Sequence, residues 1–129
     1  MADYSSNYQP VEEVESYGKL EGPTFKQFIY KPVVYLGREA NTDNLDSTNE
    51  QCIFIGDSQK ISRKHAKIAW NYEKGEWEIQ ILSKNKAIIN GVTLRNLDNP
   101  QVLPPMSAIK IDKYKFYFFP AVLEKSESI

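Results

Sequence analysis

The chain has 129 residues, 41% hydrophobic and 26% charged, a composition that fits one soluble globular domain and leaves little room for two. Lys and Arg number 16 against 17 Asp and Glu, a formal charge of −1, so bulk charge argues against general attraction to nucleic acid. One cysteine, Cys52, excludes an internal disulfide and a zinc cluster, and no apolar run is long enough to cross a bilayer.

Residues 1–16 are polar, without sustained period, and read as a disordered tail lacking the apolar core of a secretory signal. Their glutamates, Glu12, Glu13 and Glu15, leave room for a basic patch elsewhere. Residues 17–22 enter a first strand, and the aromatic-rich segment from Phe25 to Tyr30 is a second, ended by Lys31-Pro32. Val33 to Leu36 is short and apolar and stops at Gly37-Arg38. Residues 39–51 carry turn formers and almost no apolar side chains, a long loop that reads equally as functional and as a tolerated insertion. Cys52 to Ile55 reads as a short buried strand, with Cys52 a buried thiol, and Gly56 to Lys60 turns the chain.

From Ala66 to Tyr72 the alternation places Ala66, Ile68 and Trp70 on one face. Glu73-Lys74-Gly75 makes a hairpin turn, after which Trp77, Ile79 and Ile81 alternate with Glu76, Glu78 and Gln80, the clearest period of two in the chain. The hairpin sets Trp70 near Trp77. Ala87 to Ile89 and Val92 to Leu94 flank Asn90-Gly91, a tight-turn pair because both residues tolerate positive φ. A proline-bearing loop spans 96–105, and Ala108 to Ile111 and Tyr114 to Phe119 close the domain, with Pro120 ending the last strand and 121–129 a disordered tail. Many short strands joined by polar turns indicate a β-sandwich or barrel.

Polar and cationic residues recur at the strand ends. Ile61 to His65 holds the chain's one histidine beside Ser62, Arg63 and Lys64; Gly37-Arg38 lies upstream, and Ser83-Lys84-Asn85-Lys86 downstream. Ser62 and His65 are too little of a triad to support a hydrolase, and no metal-ligand spacing is present, so neither an enzyme nor a cofactor is expected. Anion recognition is better supported. Arg38 offers a bidentate fork for phosphate, Ser62 a hydroxyl, Arg63 and Lys84 charge, and Asn85 an amide that both donates and accepts. Taken singly, each lysine reads as a solvated surface charge and Asn85 as a turn residue.

Together, Gly37-Arg38, Ser62-Arg63-Lys64-His65, Ser83-Lys84-Asn85 and Asn90-Gly91 resemble the forkhead-associated (FHA) domain across residues 17–120, most like those of forkhead-type transcription regulators. The resemblance implies an all-β sandwich of two mostly antiparallel sheets, about 11 short strands, with binding loops at one end. It implies a phosphothreonine-dependent protein-binding module, monomeric and nuclear, whose partner is a phosphothreonine-containing protein, without direct contact to nucleic acid or membrane. Arg38 and Ser62 match the positions that bind phosphate, Asn85 the one that holds the peptide main chain, and Arg63 and Lys84 positions lining the peptide. Gly37, His65, Asn90 and Gly91 match positions that hold loop geometry. The sequence departs from the family pattern at Lys86, where glycine is usual, at Gln80-Ile81-Leu82, which lacks an acidic residue, and at Met106-Ser107, in place of a Gly-Asp turn. The competing reading is a phosphate-independent interaction domain on the same sandwich.

Overall fold

The computed structural model describes residues 16–39 and 49–121, and every regular element among them is a strand. In chain order these are β1 (Gly18–Glu21), β2 (Lys26–Ile29), β3 (Val33–Gly37), β4 (Glu50–Phe54), β5 (Ala66–Asn71), β6 (Glu76–Ile81), β7 (Ala87–Ile89), β8 (Val92–Leu94), β9 (Gln101–Val102), β10 (Ser107–Ile111) and β11 (Tyr114–Pro120). They form a six-stranded sheet ordered β2-β1-β11-β10-β7-β8 and a five-stranded sheet ordered β4-β3-β5-β6-β9. This is the two-sheet architecture expected from the sequence.

One strand pair departs from antiparallel. β3 and β4 run parallel, Val33 opposite Glu50 and Gly37 opposite Phe54. Parallel neighbours cannot be joined by a tight turn and need a crossover of a dozen or so residues. Residues 38–49 make that crossover, which gives the turn-rich stretch after Gly37 a topological reason; residues 40–48 lie outside the described residues.

The period of two in β6 is realised: Trp77, Ile79 and Ile81 are buried. Ile68 lies opposite Ile79 and Trp70 opposite Trp77, whose rings meet edge-to-face with centroids 5.4 Å apart. From the facing sheet, Phe116, Phe118, Ile109, Ile111 and Leu20 fill the other half of the core, and Phe118 meets Trp77 edge-to-face at 5.8 Å. At roughly 1.5–3 kcal/mol for each large apolar side chain buried, this inner layer is the main force joining the sheets.

Several elements differ from the sequence expectation. β4 is not buried throughout: Gln51 and Ile53 face inward, Phe54 is 48% exposed and Cys52 only half-buried. β4 is an edge strand with one covered face, and a period of two turns Cys52 and Phe54 away from it. Gln51 is buried because its side chain is satisfied: Oε1 accepts the Tyr30 N–H at 2.8 Å and Nε2 donates to the Phe28 carbonyl at 3.0 Å. Tyr72 belongs to the turn rather than to β5, since Asn71 Oδ1 accepts the Lys74 N–H and closes the chain early. The loop over 96–105 contains the short strand β9, and Pro120 is the last residue of β11 rather than lying beyond it. The expected tails, 1–16 and 121–129, lie outside the described residues except Ser16 and Ala121; the Ala121 N–H donates to the Tyr17 carbonyl at 2.8 Å.

Candidate functional site

Three connections converge at one end of the sandwich: the exit of β3, the β4–β5 segment through Lys60 to His65, and the β6–β7 turn through Ser83 to Lys86. Gly37 is the reason the first two approach so closely. A Cβ there would collide with the carbonyl oxygens of Arg63 and Ser62, so no larger residue fits without moving the backbone. The contact brings the Arg38 N–H to the Ser62 carbonyl at 3.1 Å. Arg38 itself is exposed, and its Nε donates to the carbonyl of Ile61. One edge of the guanidinium is thereby held against the β4–β5 segment, and among the described residues its terminal nitrogens have no protein acceptor.

His65 is 1% exposed and sits behind this surface. Its N–H donates to the Leu36 carbonyl at 2.8 Å, and its own carbonyl receives the N–H groups of Leu82 and Ser83 at 2.9 and 3.2 Å. Nδ1 accepts the Ser62 N–H at 3.1 Å, which places the ring proton on Nε2, 3.3 Å from the Lys86 carbonyl. Burial of the ring lowers its pKa below the ordinary histidine value, against the opposing pull of the Lys86 and Asn85 backbone. A neutral, buried imidazole with both nitrogens engaged is a tie between loops. It is not placed as a base.

Ser62 and Asn85 are joined through a residue that the sequence reading quoted without assigning a role. Ser83 is 3% exposed, and its Oγ lies 2.6 Å from Ser62 Oγ and accepts the Asn85 N–H at 2.9 Å. The signal was present: a serine two residues before an asparagine is the spacing of a side-chain-capped turn. Asn85 Nδ2 donates to the Lys60 carbonyl at 2.9 Å, tying the β6–β7 turn back to the β4–β5 segment. Arg38, Ser62 and Asn85 thus belong to one hydrogen-bonded unit. Arg63 and Lys84 are exposed at its rim. Lys64 points to Glu39, 3.5 Å away, and stacks over the Tyr35 ring at 5.3 Å.

Asn90 and Gly91 adopt φ of 52° and 83°, the left-handed pair that a two-residue hairpin turn requires. Asn90 also clamps the next strand: Oδ1 accepts the Ala108 N–H at 2.8 Å and Nδ2 donates to Ser107 Oγ at 3.1 Å. Lys86, where glycine is usual, contributes its carbonyl to His65 and leaves its side chain exposed.

The FHA domain profile matches residues 34–112. Fork head protein homolog 1 of Saccharomyces cerevisiae is 34% identical over 95 residues, which cover 69% of this chain and 20% of that protein. The chain therefore spans about a fifth of the length of that relative. Among solved structures, the N-terminal FHA domain of S. cerevisiae Rad53p in complex with a phosphothreonine peptide superposes with a TM-score of 0.63 at 16% identity, covering 81% of this chain and 94% of that one. The MEK1 FHA domain in complex with a HOP1 phosphopeptide gives 0.61 at 19% identity, covering 84% and 100%. With the two-sheet topology and the matched stretch running from β3 to the end of β10, the chain belongs to the FHA domain family.

Proposed function

We propose that this domain binds phosphothreonine-containing segments of a partner protein through Arg38, Ser62 and Asn85, with Arg63 and Lys84 lining the peptide. The observation that carries the reading is the single network joining the three: the Arg38 N–H to the Ser62 carbonyl, Ser62 to Ser83, Ser83 to Asn85 and Asn85 to Lys60, with the Arg38 side chain braced on Ile61. A ligand site works best when its donors are held in place before the ligand arrives. Arg38 supplies a permanently charged fork, suited to a phosphate carrying about −1.5 to −2 charges near pH 7. Either hydroxyl can donate in the Ser62–Ser83 pair; when Ser83 donates to Ser62 Oγ, the Ser62 proton is left for a phosphate oxygen. FHA domains solved in complex with phosphothreonine peptides support the phosphopeptide-binding part of this reading. Relatives named as fork head proteins support a place in a nuclear transcription regulator.

Calorimetry with one peptide in phosphorylated and unphosphorylated form tests the reading. Binding of the phosphorylated form alone is the expected result. Equal binding of both forms would establish the phosphate-independent interaction domain instead.

A further inference from the structure

A depression of about 610 Å³ shares Lys60, Lys84 and Asn85 with the proposed phosphopeptide site and continues past them over Lys86, Ile88, Arg95 and Lys110, which that site does not use. Its charged lining is Lys60, Lys84, Lys86, Arg95, Lys110 and Asp112, five cations against one carboxylate in a chain of formal charge −1. Among the described residues the two ion pairs, Lys19–Glu21 and Lys64–Glu39, involve none of these cations. The basin is assembled from different parts of the fold. Lys110 sits on β10 opposite Ile88 of β7, Arg95 follows β8, and Lys86 ends the turn that begins with Ser83. Like charges brought together on three neighbouring segments repel one another, and an anion relieves that repulsion.

We infer that this basin, centred on Lys86, Arg95 and Lys110, takes a second anionic group of the same bound phosphopeptide, a run of carboxylates or a second phosphate. The inference rests on the phosphothreonine reading above and extends it to a preference among partners. A peptide held at Asn85 lies at the rim of the basin, so a side chain a few residues along reaches it without leaving the surface. A nucleic acid fits less well: no Phe, Tyr or Trp lines the depression to stack a base, the His65 ring is buried, and the cations form a pocket rather than a long stripe.

The test is a set of fluorescence-anisotropy titrations near 0.1 M salt, a screening length of about 10 Å. The probes are a phosphothreonine peptide with neutral flanks, the same peptide with glutamates on one side or the other, one with an added phosphoserine, and a DNA duplex. The proteins are the full chain, the Arg95→Glu/Lys110→Glu double variant and Arg38→Ala. The expected result is roughly tenfold tighter binding of at least one acidic or doubly phosphorylated probe than of the neutral one. In the double variant that gain vanishes while the neutral phosphopeptide binds as before. Which acidic probe gains most identifies the source of the anion. No gain in the wild-type chain, or a gain that survives charge reversal, overturns the inference, as does duplex binding lost in the double variant without any preference for acidic peptides. If the neutral phosphopeptide binds and Arg38→Ala loses it, the phosphothreonine reading stands whatever the basin does. If the neutral phosphopeptide does not bind the wild-type chain, that reading fails and the inference falls with it.

Discussion

The Ser62 backbone N–H donates to Nδ1 of His65 at 3.1 Å, so the residue proposed to touch phosphate is positioned by a ring that is itself out of solvent. Protonating that ring would put a second hydrogen between Nδ1 and the Ser62 N–H. Burial keeps the folded-state pKa of His65 below the ordinary value of 6.5. As pH falls through that ordinary value, the unfolded chain takes up a proton that the folded chain resists, and stability drops until the lower folded pKa is reached. Above it both states are neutral and this contribution is complete. Melting temperatures from pH 5 to 8 should therefore fall on the acid side in the wild type more than in His65→Ala. At pH 7.5 the variant should already be weaker by about 1–3 kcal/mol, the cost of losing a buried hydrogen-bonding group. Unchanged melting with lost phosphopeptide binding would show that His65 acts at the phosphate site rather than in holding the fold.

Ser83→Ala removes the acceptor of the Asn85 N–H and the partner of Ser62 Oγ at once. The expected loss is about 1–3 kcal/mol of stability, with phosphopeptide affinity down by roughly 3–10-fold. Thermal melting and calorimetry on the same sample separate the two. An affinity equal to wild type would mean that Ser62 and Asn85 are held without Ser83.

Gly37→Ala places a methyl group against the Arg63 and Ser62 carbonyls, which are backbone and cannot swing away. Overpacking of this kind costs about 1–3 kcal/mol. Melting temperature should fall, and binding should weaken with it because Arg38 and Ser62 are displaced relative to one another. A fully stable, fully active variant would contradict the close approach.

Arg38→Ala should cost about 2–5 kcal/mol of phosphopeptide binding, the range for removing one partner of a hydrogen-bonded charge pair. Arg38→Lys should recover only part, since lysine keeps the charge but not the fork. Lys86→Ala should change affinity for a peptide with neutral flanks by no more than ~1 kcal/mol, because an exposed charge contributes little. Calorimetry with one peptide ranks the three, and tight binding by Arg38→Ala would place the phosphate elsewhere.

Met106 has φ of 66° and is 69% exposed, a left-handed residue whose side chain packs little. That conformation costs a residue with a Cβ about 1–2 kcal/mol, while glycine gives back about 0.5–1 kcal/mol through the freedom of the unfolded chain. Met106→Gly should therefore raise the melting temperature slightly, by the equivalent of up to ~1 kcal/mol. A lower melting temperature would mean that the Met106 side chain contributes packing that its exposure does not suggest.

The sequence by itself determined the all-β class and named most residues of the candidate site. The alternation of Trp77, Ile79 and Ile81 against Glu76, Glu78 and Gln80 has one buried solution, and Asn90-Gly91 has one inexpensive turn. Gly37, Arg38, Ser62, His65 and Asn85 were legible because their motifs stand in the order and spacing of the FHA pattern. Tertiary structure alone decided which strand faces are covered and which loops meet. The edge position of β4 exposes Phe54, and the parallel pairing of β3 with β4 turns residues 38–49 into a crossover. Ser62 and Ser83 are 21 residues apart yet share a hydrogen bond, and Lys86, Arg95 and Lys110 line one basin. Periodicity reports the environment along a strand; contacts between strands depend on sheet order and register, which no local pattern encodes.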